Sequence, residues 1–287
     1  MIDLHTHSTA SDGSLTPTEL AALGRQKKLT ALALTDHDTT DGLSEFLNAQ
    51  AADSPILIPG IEISTFWYDA DLHILGLLID PDCKHLRTLT TNLVYAREKR
   101  LRTMLTRLHE MGIELSFAEV QTVAGTNLIT RSHLALALHH RDLISEPQEA
   151  FRRYIGRGCP AYIPLERPPL AKVLDAIRNS GGLSFWAHPT GISRRTSTKM
   201  RQFCRQMREY GLDGLEAWYS HYSEEQHKAV RAVAMQCRML MSGGSDFHGD
   251  ASPGIELGIG KGNLIIPDSV YDDLLTARES KPVRKKF

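Results

Sequence analysis

The chain has 287 residues and a mass of 32.0 kDa, with 41% hydrophobic and 23% charged residues, which suits one large domain or two small ones and excludes a disordered chain or a fibre. Lys and Arg total 33 against 34 Asp and Glu, a formal charge of -1, so no global field marks a duplex-DNA coater or a membrane binder, and any anion must be met locally. Histidine is the outlier: there are 13, against 8 Phe, 3 Trp and 4 Cys, and that excess asks for a metal or acid/base explanation.

The first strand is predicted over Ile2–Leu4, followed by a loop with Asp12 and Gly13. Thr16-Pro17-Thr18-Glu19 then supplies an N-cap, a proline at the first helical position and a capping-box glutamate, so a helix starts there. Ala31–Leu34 is the second strand and runs into TDHDTTDG. Ile56–Ile63, Leu72–Ile79, Leu183–Trp186, Gly214–Ala217 and Leu240–Ser242 follow, most of them separated by amphipathic helical patterns. About seven strands in βα units predict an α/β protein built on a parallel sheet or barrel. Between about Lys84 and Glu166 the strand pattern stops, and helical periodicity runs through LVYAREKRLRTMLTRLHEMG, RSHLALALHH and EAFRRYIGRG. This predicts a barrel of residues 1–83 and 167–287 with a mostly helical insertion, 84–166, covering its mouth.

The four cysteines, Cys83, Cys159, Cys204 and Cys237, form no CxxC pair, so neither a zinc ribbon nor a disulfide framework is indicated and reduced thiols are expected. MIDLHTHS lacks the basic start and apolar core of a signal peptide, and no run reaches the ~18 apolar residues of a membrane span. The expectation is a cytoplasmic protein with no membrane attachment and no obligate protein partner.

The polar residues fall where such a fold does its chemistry. His5 and His7 follow the first strand, Asp36 and His37 the second, Glu62 and His73 lie on the third and fourth, and His188, Glu216, Asp246 and His248 sit at or beyond later strand ends. In a parallel barrel those ends share one mouth. His5 and His7 are two residues apart on an extended chain and share a face, as do Asp246 and His248. One strand-end histidine is ordinarily a hydrogen-bonded structural residue; six converging with several carboxylates suit Zn²⁺, Fe²⁺ or Mn²⁺.

HTHSTASDG, ALTDHD, PGIEIS, LHILGL, AHP and SGGSDFH resemble the ordered motifs of the PHP (polymerase and histidinol phosphatase) superfamily of metal-dependent phosphoesterases. ITRSHLA, FRRYIGRGCPAYIP and the NSGG before AHP resemble the subfamily holding nucleoside 3′,5′-bisphosphate phosphatases and a 5′→3′ exoribonuclease. The likeness covers residues 2 to about 258. It implies a distorted seven-stranded (β/α) barrel with up to three divalent ions, Mn²⁺ first among them. His5, His7, Glu62 and Asp246 would hold one ion; Glu62, His73 and His188 a second; Asp12, His37 and His248 a third. The implied reaction is attack on phosphorus by a metal-bridging hydroxide, with Asp246 and His248 among the catalytic groups and His221, in WYSHYS, a candidate proton donor whose other role is a surface-loop histidine.

Residues 84–157 carry 12 Lys/Arg against 7 Asp/Glu, which sets positive charge over an acidic mouth, as a phosphate-rich substrate needs. Arg131 and His133 are the expected phosphate clamp, Arg131 because a guanidinium fork matches phosphate oxygens. Arg97 and Arg100 share a helix face that is also the ordinary pattern of a solvated one. Relatives commonly continue AHP with glycine, arginine and tyrosine, whereas this chain has Thr190-Gly191-Ile192, leaving Arg194 or Arg195 as substitutes. Arg201, Arg205 and Arg208 form a basic face for a nucleic acid backbone or a plain outer helix. Phe66, Trp67 and Tyr68 after Glu62, and Trp218 and Tyr219 after Glu216, offer stacking surfaces for a base or ordinary packing. The expected substrate is a nucleoside 3′,5′-bisphosphate or a 5′-phosphorylated RNA shortened 5′ to 3′; a small metabolite such as histidinol phosphate and a non-catalytic nucleic-acid-binding module are the alternatives.

Overall fold

The computed structural model describes residues 1–68, 70–189 and 197–281. Seven strands, β1 (Ile2–Asp3), β2 (Ala31–Leu34), β3 (Ile56–Trp67), β4 (Ala70–Leu77), β5 (Leu183–Trp186), β6 (Gly214–Tyr219) and β7 (Leu240–Gly244), form one sheet in sequence order. It curls into a nearly closed barrel, because the amide of Leu4 donates to Gly243 O at 3.1 Å and Thr6 bridges Phe247 beyond β7. The buried Asp3 carboxylate fastens that seam by accepting from the Ser245 amide and hydroxyl and from the Gly258 amide.

The expectation of an all-parallel barrel fails at one strand. β4 runs antiparallel to both β3 and β5, since only two residues separate Trp67 from Ala70 and a parallel crossover needs a dozen or more. The reversal brings the early part of β4, with His73, to the mouth reached by the late part of β3.

Around the barrel stand α1 (Pro17–Gln26), α2 (Leu43–Asn48), α7 (Leu170–Asn179), α8 (Ser197–Glu209), α9 (Glu224–Gln236) and α10 (Ser269–Ser280). The helix α1 begins as its sequence dictates, with the Thr16 side chain on the Glu19 amide and the Glu19 carboxylate returning to Thr16. Between β4 and α7 lie α3 (Lys84–Glu110), α4 (Phe117–Ala124), α5 (Arg131–His140) and α6 (Pro147–Ala150). The expected helix in FRRYIGRG is a single π-turn over Phe151–Ile155.

Apolar residues form two separate clusters, one inside and around the barrel, the other from Leu101 to Ala161. Helix α3, about 40 Å long at 1.5 Å per residue, serves both: Leu86 and Leu93 pack on the barrel, Leu101, Met104, Leu105 and Leu108 on the second cluster. No helix among the described residues is long and apolar enough to cross a membrane.

Candidate metal centre

His5 and His7 leave β1 on the same side, while Thr6 between them turns its hydroxyl to Ala33 O. Both rings are fully buried. Residue 244, at the end of β7, has to be glycine, because a Cβ there would stand 2.3 Å from the Cβ of His5. The Nε2 atoms of His5 and His7 lie 3.1 Å apart. They stand 3.3 and 3.4 Å from Glu62 Oε2, and 3.3 and 3.1 Å from Asp246 Oδ1. The other side of Glu62 is equally crowded: His73 Nδ1 and His188 Nε2 both reach Oε1 at 3.0 Å, and His37 Nδ1 lies 2.9 Å from Oε2. Asp12 Oδ1 faces His248 Nε2 at 3.4 Å and His37 Nε2 at 3.9 Å.

Among the described residues three groups able to hold an ion emerge, and they overlap more than the resemblance implied. His5, His7, Glu62 and Asp246 form one; His7 joins Asp12, His37 and His248; His37 joins Glu62 and His73. His188 approaches Glu62 without entering a group. Bonds of about 2.0–2.2 Å to one ion put neighbouring ligand atoms roughly 3–3.5 Å apart, the spacing at which His5 and His7 meet Glu62 and Asp246. Asp12 Oδ1, Glu62 Oε2 and the Nδ1 atoms of His7 and His37 are buried without a hydrogen bond, so the 2.9 Å approach of His37 to Glu62 lacks hydrogen-bond geometry. Buried polar atoms left in this way are costly unless something else satisfies them. The donor set fits borderline divalent ions.

The charges are mutually supporting. Burial disfavours the charged form of each group, yet Asp246 and Glu62 push His7 up to about 10. His5 rises against burial through Glu216, Asp246 and Glu62. Glu62 and Asp246 are held well below the carboxylate range, despite burial, by the surrounding imidazoles.

A second layer orients these groups. Glu216 accepts from the His188 amide at 2.6 Å and meets His5 Nδ1 at 2.8 Å. Tyr219 donates its hydroxyl to Asp246 Oδ2 at 3.1 Å. Asp36 is not directed at the cluster: it accepts from the Ser8 amide and hydroxyl and the Ser11 hydroxyl, fixing the loop that carries Asp12. Asp38, His188 and Asp246 adopt left-handed backbone conformations, with φ of 52°, 33° and 58°, where the chain turns sharply after a strand.

A cavity of about 150 Å³ opens over the cluster. Asp12, His37 and His73 line it together with Arg97, Arg100, Arg131 and Arg167. Arg97 does not lie on a solvated face: its Nε donates to the fully buried Asp38 at 2.9 Å, and its Nη2 reaches Asp38 and Ser64. Arg167, which the sequence analysis passed over, pairs with Asp71 at 2.7 Å. Arg100 and Arg131 have no carboxylate partner among the described residues and donate only to the carbonyls of Ile163 and Ile155. Burial, then the nearby Arg131 and Arg97, pulls Arg100 down to about 9, and burial lowers Arg131. A guanidinium does not give up its proton in proteins, so an anion placed against these two would offset the cost of their burial.

His133 is placed differently from the expectation of a phosphate clamp. It is buried at the start of α5, where its Nδ1 accepts from the Thr130 amide and completes a capping box, and burial lowers its pKa; a neutral ring so engaged brings no positive charge. His221 is exposed, its ring 5.5 Å from that of Tyr219, and burial and Lys261 lower its pKa. Arg194 and Arg195 lie outside the described residues. On the basic face of α8, Arg201 donates to Gln236 and Thr198 and Arg208 to Cys237 O, while Arg205 is exposed. Trp67 and Trp218 are buried.

A family model described as PHP domain matches residues 3–157. A 5′-3′ exoribonuclease of Haemophilus influenzae is 34% identical over 268 residues, 93% of this chain and 96% of that protein. A 3′,5′-nucleoside bisphosphate phosphatase of Chromobacterium violaceum is 32% identical over 259 residues, 90% of each. A solved Bifidobacterium adolescentis structure, inferred to be a metal-dependent phosphoesterase, aligns over 96% of both chains with a TM-score of 0.84 and 29% identity. With the strand-end histidines and carboxylates gathered at one barrel mouth, the chain belongs to the PHP domain family.

Proposed function

We propose that the chain is a metal-dependent phosphoesterase of nucleotides that carry a second phosphate: nucleoside 3′,5′-bisphosphates, 5′-phosphorylated RNA degraded from its 5′ end, or both. The observation that carries this reading is a cavity lined both by Asp12, His37 and His73 of the ion-holding groups and by four guanidiniums. A substrate with one phosphate would leave Arg100 and Arg131 unpaired. The activities named for the two curated relatives support the same class.

His5, His7, Asp12, His37, Glu62, His73, His188, Asp246 and His248 would hold divalent ions, with Mn²⁺ proposed ahead of Fe²⁺ and Zn²⁺ from the resemblance. Bound there, such ions would neutralise phosphate oxygens and lower the pKa of a water toward ~7, so that no nucleophilic side chain is needed. The protein's own part is to orient and to exclude water. Glu216 fixes the ring of His5 from behind, and Tyr219 turns the Asp246 carboxylate inward. Arg100 and Arg131 take the non-reacting phosphate with bidentate contacts, and Arg97 and Arg167, steadied by Asp38 and Asp71, add positive charge beside it. His221 at the rim is the proposed proton donor to the leaving oxygen; its lowered pKa works against that role, and His221→Gln tests it.

Mn²⁺-loaded protein should release phosphate from 3′-phosphoadenosine 5′-phosphate, or mononucleotide from a 5′-phosphorylated RNA ladder, far faster than phosphate from histidinol phosphate. His188→Ala and Asp246→Ala should abolish turnover. Undiminished turnover after exhaustive chelation would refute the proposal.

A further inference from the structure

A cavity of about 150 Å³ is smaller than the roughly 300–1,000 Å³ that encloses a drug-sized ligand. At that size it would accommodate the phosphate end of a nucleotide and leave the base outside. The hairpin of β3 and β4 carries the cavity-lining Ser64 and His73, and its two faces differ. Side chains two apart on a strand share a face, and residues directly opposed on antiparallel strands share it too. Glu62, Ser64 and Phe66 therefore lie on one face, with Ser64 opposite His73 and Phe66 opposite Asp71. Ser64 and His73 line the cavity, and Asp71 holds Arg167, which also lines it. The intervening residues face away: Leu72 is buried, the Thr65 hydroxyl donates to Pro168 O, and Trp67 packs edge-on to Tyr210 with ring centres 4.6 Å apart. Tyr68 sits in the turn with its ring against Trp67 at 5.0 Å.

Phe66 is thus the aromatic residue that continues the cavity-lining face outward, and it is 40% exposed. It stands about 7 Å beyond Ser64 along the strand, a distance spanned by a ribose. We propose that Phe66 is the platform on which the nucleobase stacks when a phosphate of the same nucleotide occupies the arginine-walled cavity. This rests on the phosphoesterase reading and adds to it the residue that distinguishes a nucleotide from a bare sugar phosphate. An aromatic face accepts every base, so the platform selects for the presence of a base without selecting which one.

The test compares adenosine 3′,5′-bisphosphate with its abasic tetrahydrofuran counterpart in the Mn²⁺-loaded protein. Phe66→Ala should raise the KM for the base-bearing substrate, relative to the abasic one, by roughly 5- to 150-fold. Phe66→Trp should restore the ratio, and the ratio should respond alike with adenine, uracil and guanine. A change shared equally by the two substrates, or a Phe66→Leu variant as good as the wild type, would overturn the inference. If the wild type hydrolyses neither compound, the phosphoesterase reading falls, and calorimetric binding of the same pair to the wild type and Phe66→Ala decides the stacking role: equal loss of affinity for both compounds, or none, rejects it.

Discussion

Arg97→Met removes a charge from a pair that the fold has buried. Asp38 is fully enclosed and Arg97 is 8% exposed. Asp38 Oδ1 accepts from the Ser64 amide, while Oδ2 depends on the guanidinium. Methionine fills much of the same volume without a donor and so leaves the buried Oδ2 without its charged partner. Removing one partner of a buried ion pair costs about 3–5 kcal/mol, which for a chain of this length is a fall in melting temperature of order 10 °C. Differential scanning fluorimetry of the metal-free protein measures it without interference from ion binding. Adding Asp38→Asn should recover most of the loss, because the amide keeps the Ser64 contact and no charge remains. A single variant melting within roughly 2 °C of the wild type, or a coupling energy below about 0.5 kcal/mol in the double-mutant cycle, would refute the reasoning.

Glu216→Gln leaves the shape of the second layer intact but weakens its hold on His5; metal affinity should fall about 10- to 100-fold, read by competition with a fluorescent chelator, and an unchanged affinity would mean that Glu216 only fills space. His5 and His7 have pKa values raised in the folded apoprotein, His7 to about 10. Their protonated rings therefore stabilise the apoprotein fully below about pH 6.5, and that contribution is lost as the pH rises through the folded-state values. Ion binding must expel those protons, so titration calorimetry near neutral pH in buffers of different ionisation enthalpy should show proton release; identical heats would count against it. Gly244→Ala forces a Cβ to within 2.3 Å of His5. It should cost about 1–3 kcal/mol and impair ion binding together, and a stable variant with full metal affinity would show that the seam yields more easily than its geometry indicates.

The positions of the strands were legible because each is a short apolar run closed by turn residues. The direction of β4 was not, although the signal was present: Thr65, Phe66 and Trp67 extend β3 by β-branched and aromatic residues, and the gap left before Ala70 is too short for anything but a hairpin. The clustered histidines and carboxylates could be found from their place at strand ends together with the motifs. Their sharing across groups could not, since the distance between His7 and Asp12 depends on a loop pinned by Asp36. Arg97 on a charged helix face reads as solvated, and only the docking of α3 against the His37 turn buries it. Arg167 lies beside two prolines with no local pattern at all. His133 misled because histidine at the third position of a capping box resembles a clamp residue when only its neighbours Arg131 and Ser132 are considered.

Asp38, His188 and Asp246 each hold a left-handed backbone conformation, at about 1–3 kcal/mol for such a position, and all three flank or belong to the candidate ion-binding groups. Lys28, Tyr68, Leu78, Asp142 and Arg238 adopt the same conformation elsewhere in the described residues, but these three fall together at the barrel mouth. Ions held at the barrel mouth would favour the folded chain over the unfolded one, so removal of divalent metal should lower the melting temperature of the protein as well as its turnover.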